Sequence, residues 1–146
     1  MIQRLQSIYL FISALLLIAF AFTKFLIIKT GSEVLQLGVI FAGVDNHIAP
    51  NYLLTVLLSL IVIMTLITIF KYRNLANQLK LCALSIVLTV ALIVSIAALA
   101  YSQVSAGEVS LTAYNLLPVG AFIFLIMAYK GIAHDKKLIS DSERIR

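Results

Sequence analysis

Tryptophan is absent, cysteine occurs once, proline twice, and charged residues make up only 12% of the 146-residue chain. A lone cysteine, Cys82, cannot close an internal disulfide and has no second thiol at metal-ligand spacing, so it reads as a small core residue. The sequence also lacks a glycine-rich phosphate loop, paired carboxylates, and a nucleophile with a positioned base. No catalytic residue, metal site or cofactor is therefore expected. The scarcity of charge matters most. With 62% of residues apolar, too few polar groups remain to cover a water-facing surface, and lipid is the solvent that the composition requires. The net charge of +5 comes from short basic clusters between apolar runs, not from one patch, so nucleic acid is not an expected partner.

Four windows contain no Asp, Glu, Lys or Arg: Leu5–Thr23, Asn51–Phe70, Leu81–Tyr101 and Thr112–Tyr129. About 20 residues of helix cross the roughly 30 Å hydrocarbon layer, and a helix satisfies its own backbone there. The expectation is an all-α integral membrane protein, a single domain over residues 1–146. It has a four-transmembrane-helix bundle, an outer hairpin loop over 24–50 and a cytoplasmic tail over 130–146. Positive residues mark the cytoplasmic side. Arg4, Lys71, Arg73, Lys80, Lys130, Lys136, Lys137, Arg144 and Arg146 fall on one side of these spans, and only Lys24 and Lys29 on the other. Both termini are thus expected in the cytoplasm. All six tyrosines lie near the ends of the windows, where an amphipathic ring prefers the headgroup level. The first window resembles a signal peptide around Ala19, Phe20 and Ala21, but its apolar run continues to Ile28, so a retained helix is expected.

Between the first two windows, Phe25–Lys29 and Val34–Phe41 are rich in β-branched and aromatic residues and flank the turn chemistry of Thr30–Glu33, predicting a hairpin. Gly43–Pro50 reads as a loop leading into a helix. The third connection, Ser102–Leu111, is long enough only to cover that hairpin. Asp45, His47 and Glu108 are the groups from which an outward-facing enzyme would have to be built, and His47 with Asp45 falls short of a metal-ligand set.

No acidic, basic or histidine side chain lies inside any window. An ionisable group at a helix centre costs about 2.5–3.5 kcal/mol, so proteins that carry one there use it for relays and ion paths. Compact four-helix drug exporters depend on a glutamate in their first helix, and Leu5–Thr23 has none. Asn115 and Pro118 in the fourth window read as a helix kink or packing site, with a ligand site as the sharper alternative. Ser85 with Thr89, Ala91 with Ser95, and Ala14, Thr55 and Ser59 supply small residues for close helix packing; the same faces suit contact between copies in a homo-oligomer.

The tail carries the richest charge pattern. Lys130, Asp135, Lys136, Lys137, Arg144 and Arg146 are its candidate interaction residues, for anionic headgroups or for a protein partner, and helical continuation past the membrane is expected. The two ends also carry a resemblance. The start, Met1, Ile2, Gln3, Arg4, Leu5, Gln6, Ser7, Ile8, Tyr9, Leu10, and the end, from Lys130 and Gly131 through Asp135, Lys136 and Lys137 to Glu143, Arg144, Ile145 and Arg146, resemble the domain of unknown function 4293 family. The resemblance implies a small four-helix protein of the bacterial inner membrane, as in Bacteroidetes, with outer loops in the periplasm, and implies no activity. The tail departs from the family pattern at His134, Lys136, Glu143 and Ile145.

The leading expectation is a non-enzymatic membrane subunit or scaffold. Its tail or outer hairpin would meet a protein partner, and the bilayer would meet the rest. The alternative is a carrier or permease component for an uncharged or lipidic substrate.

Overall fold

A computed structural model describes residues 3–30, 33–40, 42–44, 47–48, 52–71, 74–104 and 108–144. The chain forms α1 (Gln3–Ala21), β1 (Lys24–Thr30), β2 (Glu33–Gly38), β3 (Ala42–Val44), β4 (His47–Ile48), α2 (Tyr52–Phe70), α3 (Leu75–Gln103), β5 (Glu108–Leu111), a single 3₁₀ turn (Ala113–Asn115) and α4 (Leu116–Arg144). Each charge-free window contains a helix, because an apolar backbone segment without water must bond to itself. Three helices are long and apolar enough to cross a membrane. The apolar stretch of α1, Leu5–Ala21, is shorter and sits near the lower limit of about 17 residues for a span.

Charge does not end the helices. α3 starts at Leu75, ahead of Lys80, where the Asn74 side chain accepts from the Asn77 N–H at 3.2 Å. α4 runs on past Lys130 to Arg144, so the expected tail is a helical extension and not a separate segment.

α1 packs on α2 and α4, and α3 packs on the same two helices, which closes a ring. Outward faces are as apolar as inward ones: Val56, Ile63, Val87, Val94 and Ile123 each expose more than half of their surface. Helices that are hydrophobic all round belong in a protein core or in lipid.

The hairpin expected from the sequence is present, with Thr30 opposite Glu33 and Ile28 opposite Leu35. It belongs to a larger antiparallel sheet of order β4-β3-β2-β1-β5. The third connection does more than cover the hairpin: Glu108–Leu111 pairs with β1, Lys29 opposite Glu108 and Leu26 opposite Leu111. The loop expected over Gly43–Pro50 is corrected in part. Gly43 and Val44 pair with Ile48 and His47, because β-prone Val44 and Ile48 continue the ladder that Leu37 and Ala42 begin, whereas Pro50 lies outside the described residues.

A register shift between Lys24 and Leu26 breaks the strand alternation, and Phe25 and Leu26 are both fully buried there. With Ile28 and Val39 they close the adjacent end of the helix ring, joining Phe20, Leu54 and Ile96 in one apolar cluster. A second cluster of Leu10, Cys82, Leu125, Ala128 and Ile132 fills the half away from the sheet.

Candidate functional site

Polar contacts gather at the two ends of the bundle. At the end opposite the sheet, Gln6 on α1 and Asp135 on α4 are 3% and 6% exposed, and Gln6 Nε2 donates to Asp135 Oδ2 at 2.5 Å. The contact depends on Gly131, one helical turn before Asp135 and on the same face. A Cβ at Gly131 would stand 2.9 Å from Gln6 Cγ, so the missing side chain is the notch in which the glutamine lies. Gln78, near the start of α3, is buried at the same end.

The tail residues therefore divide. Asp135 turns inward, whereas Lys130, Lys136 and Lys137 are exposed. Arg144 closes α4, and Arg146 lies outside the described residues. Gln6 and Gly131 entered the sequence reading only within the end segments. No local signal singles them out, because the notch at Gly131 has meaning only with Gln6 of α1 lying in it.

Along the middle of the bundle, buried hydroxyls bond to their own helices. Ser13 donates to Leu10 O at 2.8 Å, Thr65 to Ile61 O at 2.8 Å, and Thr89 to Ser85 O at 2.7 Å. Ala14, Ser85 and Thr89 face the interior, while Ala91 and Ser59 are exposed, so the small residues do not form one seam. The buried Cys82 thiol donates to Leu125 O at 3.6 Å, linking α3 to α4.

At the sheet end, Asn115 precedes α4. Its Nδ2 donates to Phe25 O at 2.8 Å and to Thr112 O at 3.1 Å, and the Thr112 N–H reaches the same Phe25 carbonyl at 3.2 Å. Pro118 falls in the first turn of α4, where backbone N–H groups have no helical acceptor, a position that suits proline. Asn115 packs against a strand and not across the helices. Thr112 Oγ1 and Asn115 Oδ1 are both buried without a hydrogen-bond partner.

Among the described residues, two grooves flank this end. One, of about 300 Å³, lies between α3 and α4, lined by Ile93, Ile96, Ala97, Pro118 and Val119 with Asn115 among them. The other, of about 260 Å³, lies between α1 and α2, along Ile18, Phe22, Leu58 and Val62.

Among the described residues, His47 and Glu108 do not converge. His47 on β4 and Glu108 on β5 occupy opposite edges of the sheet, about 19 Å apart at four strand spacings. Asp45 lies outside the described residues. Among the described residues, no three His, Cys, Asp or Glu are grouped to hold a metal.

The architecture defines a class: a ring of four apolar helices, three of membrane-crossing length, closed at one end by a small antiparallel sheet. The family model described as "Domain of unknown function (DUF4293)" matches residues 2–145, and the chain belongs to that family. No curated protein matches it.

Proposed function

We propose that the protein is a multi-pass component of the bacterial inner membrane, both ends cytoplasmic, acting as a non-enzymatic subunit that presents the α4 extension to a cytoplasmic protein. The observation that carries this reading is the Gln6–Asp135 bond and what lies beyond it. α4 is braced at Asp135, then continues as helix with Lys136, Lys137, Leu138 and Ile139 exposed. A fixed helix with adjacent basic and apolar positions suits recognition of an acidic, partly apolar surface. The excess of Lys and Arg on the helix-turn side supports the orientation.

Truncation after Lys137 keeps Asp135 and removes the rest of the extension. Quantitative mass spectrometry of mild-detergent purifications should find a partner with the full chain that is lost with the truncated one. Equal recovery from both contradicts the docking role.

A second reading, a carrier component for an uncharged or lipidic substrate, is favoured by the α3–α4 groove and its polar residue Asn115.

A further inference from the structure

We propose that the free edge of β5 pairs antiparallel with the same edge of a second copy of this chain, joining the two five-stranded sheets into one. The inference goes beyond the docking reading and does not involve the α4 extension.

The edge is open. β5 ends the sheet order β4-β3-β2-β1-β5, and among the described residues no strand pairs with its far side. Edge strands are commonly blocked by lysine, by proline or by being very short. The opposite edge, β4, is the short dipeptide His47–Ile48. β5 is longer, runs Glu108, Val109, Ser110, Leu111, and has neither lysine nor proline. Thr112 continues it in extended conformation.

The hydrogen bonds fix which groups are free. The Thr112 N–H donates to Phe25 O, and in an antiparallel ladder alternate residues bond to the same neighbour. Ser110 and Glu108, opposite Ile27 and Lys29, therefore bond to β1, and the N–H and C=O of Val109 and Leu111 point to the open side.

That edge is self-complementary. A twofold axis at Ser110 sets Val109 of each copy against Leu111 of the other and closes a reciprocal set of backbone hydrogen bonds. Val109 and Leu111 stand opposite the buried Ile28 and Leu26, so they meet as apolar pairs on the face toward the helices. The two Ser110 residues face each other on the outer face, and Glu108 meets Thr112. The two Glu108 carboxylates then stand about 14 Å apart along the strands, so no like charges oppose each other.

The symmetry also suits a bilayer. Leu26 and Ile28 are buried against the helix ring and Lys29 is exposed on the other face, so the sheet lies across the end of the bundle. A twofold axis perpendicular to the sheet runs along the helices, which keeps both copies inserted in the same sense. Tyr101, Val104, Leu111 and Tyr114, in β5 and beside it, each expose more than half of their surface and supply area to cover around the joint.

The test is disulfide trapping of the full chain in native membranes, with Cys82→Ala as the background. Facing residues that share no backbone bond have Cα atoms about 4.5 Å apart, within disulfide range. Under mild oxidation, Ser110→Cys should yield a covalent dimer several-fold more efficiently than Glu108→Cys. Co-expressed Glu108→Cys and Thr112→Cys chains should form a mixed dimer that neither forms alone. Ser110→Lys and Ser110→Glu, altered at an exposed position, should each be monomeric by native mass spectrometry, and co-expression of the two should restore a dimer. Absence of a dimer with Ser110→Cys, equal trapping at 108 and 110, trapping of Ser110→Cys on a different protein, or dimers of the Ser110→Lys chain alone would each overturn the proposal.

Discussion

Gln6 and Asp135, separated by 129 positions in the chain, meet at 2.5 Å in a buried hydrogen bond that fastens the beginning of α1 to the extension of α4. The two chain ends that carry the family resemblance are therefore one structural unit. An amide donating to a carboxylate is a charge-assisted bond, stronger than a neutral pair, and it fixes the face that α4 turns outward beyond it.

Replacing Gln6 by Leu should leave the Asp135 carboxylate buried without this donor and destabilise the bundle by about 1.5–3 kcal/mol. Asp135→Asn, which keeps an acceptor oxygen for the glutamine, should cost less than half of that. Reversible unfolding in mixed micelles measures both; equal losses would mean that the charge is not what the glutamine serves.

Gly131→Ala sets helix propensity against space. Alanine in a helix interior gains about 1 kcal/mol over glycine, but the new Cβ would press on Gln6 Cγ at 2.9 Å. Displacing Gln6 forfeits a bond worth about 1.5–3 kcal/mol, so the net effect should be destabilising, by about 1 kcal/mol. The same substitution in a Gln6→Ala background should be stabilising, and this change of sign is the measurement to make.

Asn115→Ala removes two donated bonds and unties the sheet from the start of α4, for a loss of about 1–3 kcal/mol. Asn115→Asp should be worse, because an oxygen would replace Nδ2 opposite two carbonyls. Hydrogen exchange should show faster opening of Lys24–Thr30 and Glu108–Leu111 in both variants, with the second helix unaffected.

Pro118→Ala separates a first-turn proline from a kink. In the first turn it removes no helical hydrogen bond, so stability should change by no more than about 1 kcal/mol and distances between spin labels on α3 and α4 should not move. A changed interhelical distance would show that the proline shapes the helix axis.

The helices were legible because the signal for them is local. Stretches free of charge such as Tyr52 to Phe70 or Leu81 to Tyr101 have only one stable backbone form in lipid, and α2 and α3 cover them. Helix ends were less legible, since Lys80 and Lys130 mark where apolar surroundings stop and not where helical bonding stops. The β1–β2 hairpin was readable from Phe25–Lys29 and the turn residues after it. The role of β5 was not, because Glu108–Leu111 becomes a strand only through pairing with a partner some 80 residues earlier, which composition does not encode. Asp135 looked like one of several solvated tail charges, and nothing at its own position distinguishes it. Its burial follows from the notch at Gly131 and the reach of Gln6, a relationship visible only once α1 and α4 are antiparallel neighbours.

The central claim is that the chain is inserted in a membrane with both ends on the cytoplasmic side. Its most direct test places one cysteine at a time on each side, Glu108→Cys in β5 and Lys137→Cys in the α4 extension, with Cys82→Ala as the background. A membrane-impermeant maleimide applied to spheroplasts should label the cysteine at position 108 at once, and the one at 137 only after the membrane is permeabilised. Labelling at 137 in sealed spheroplasts, or recovery of the chain in the soluble fraction, would contradict the account.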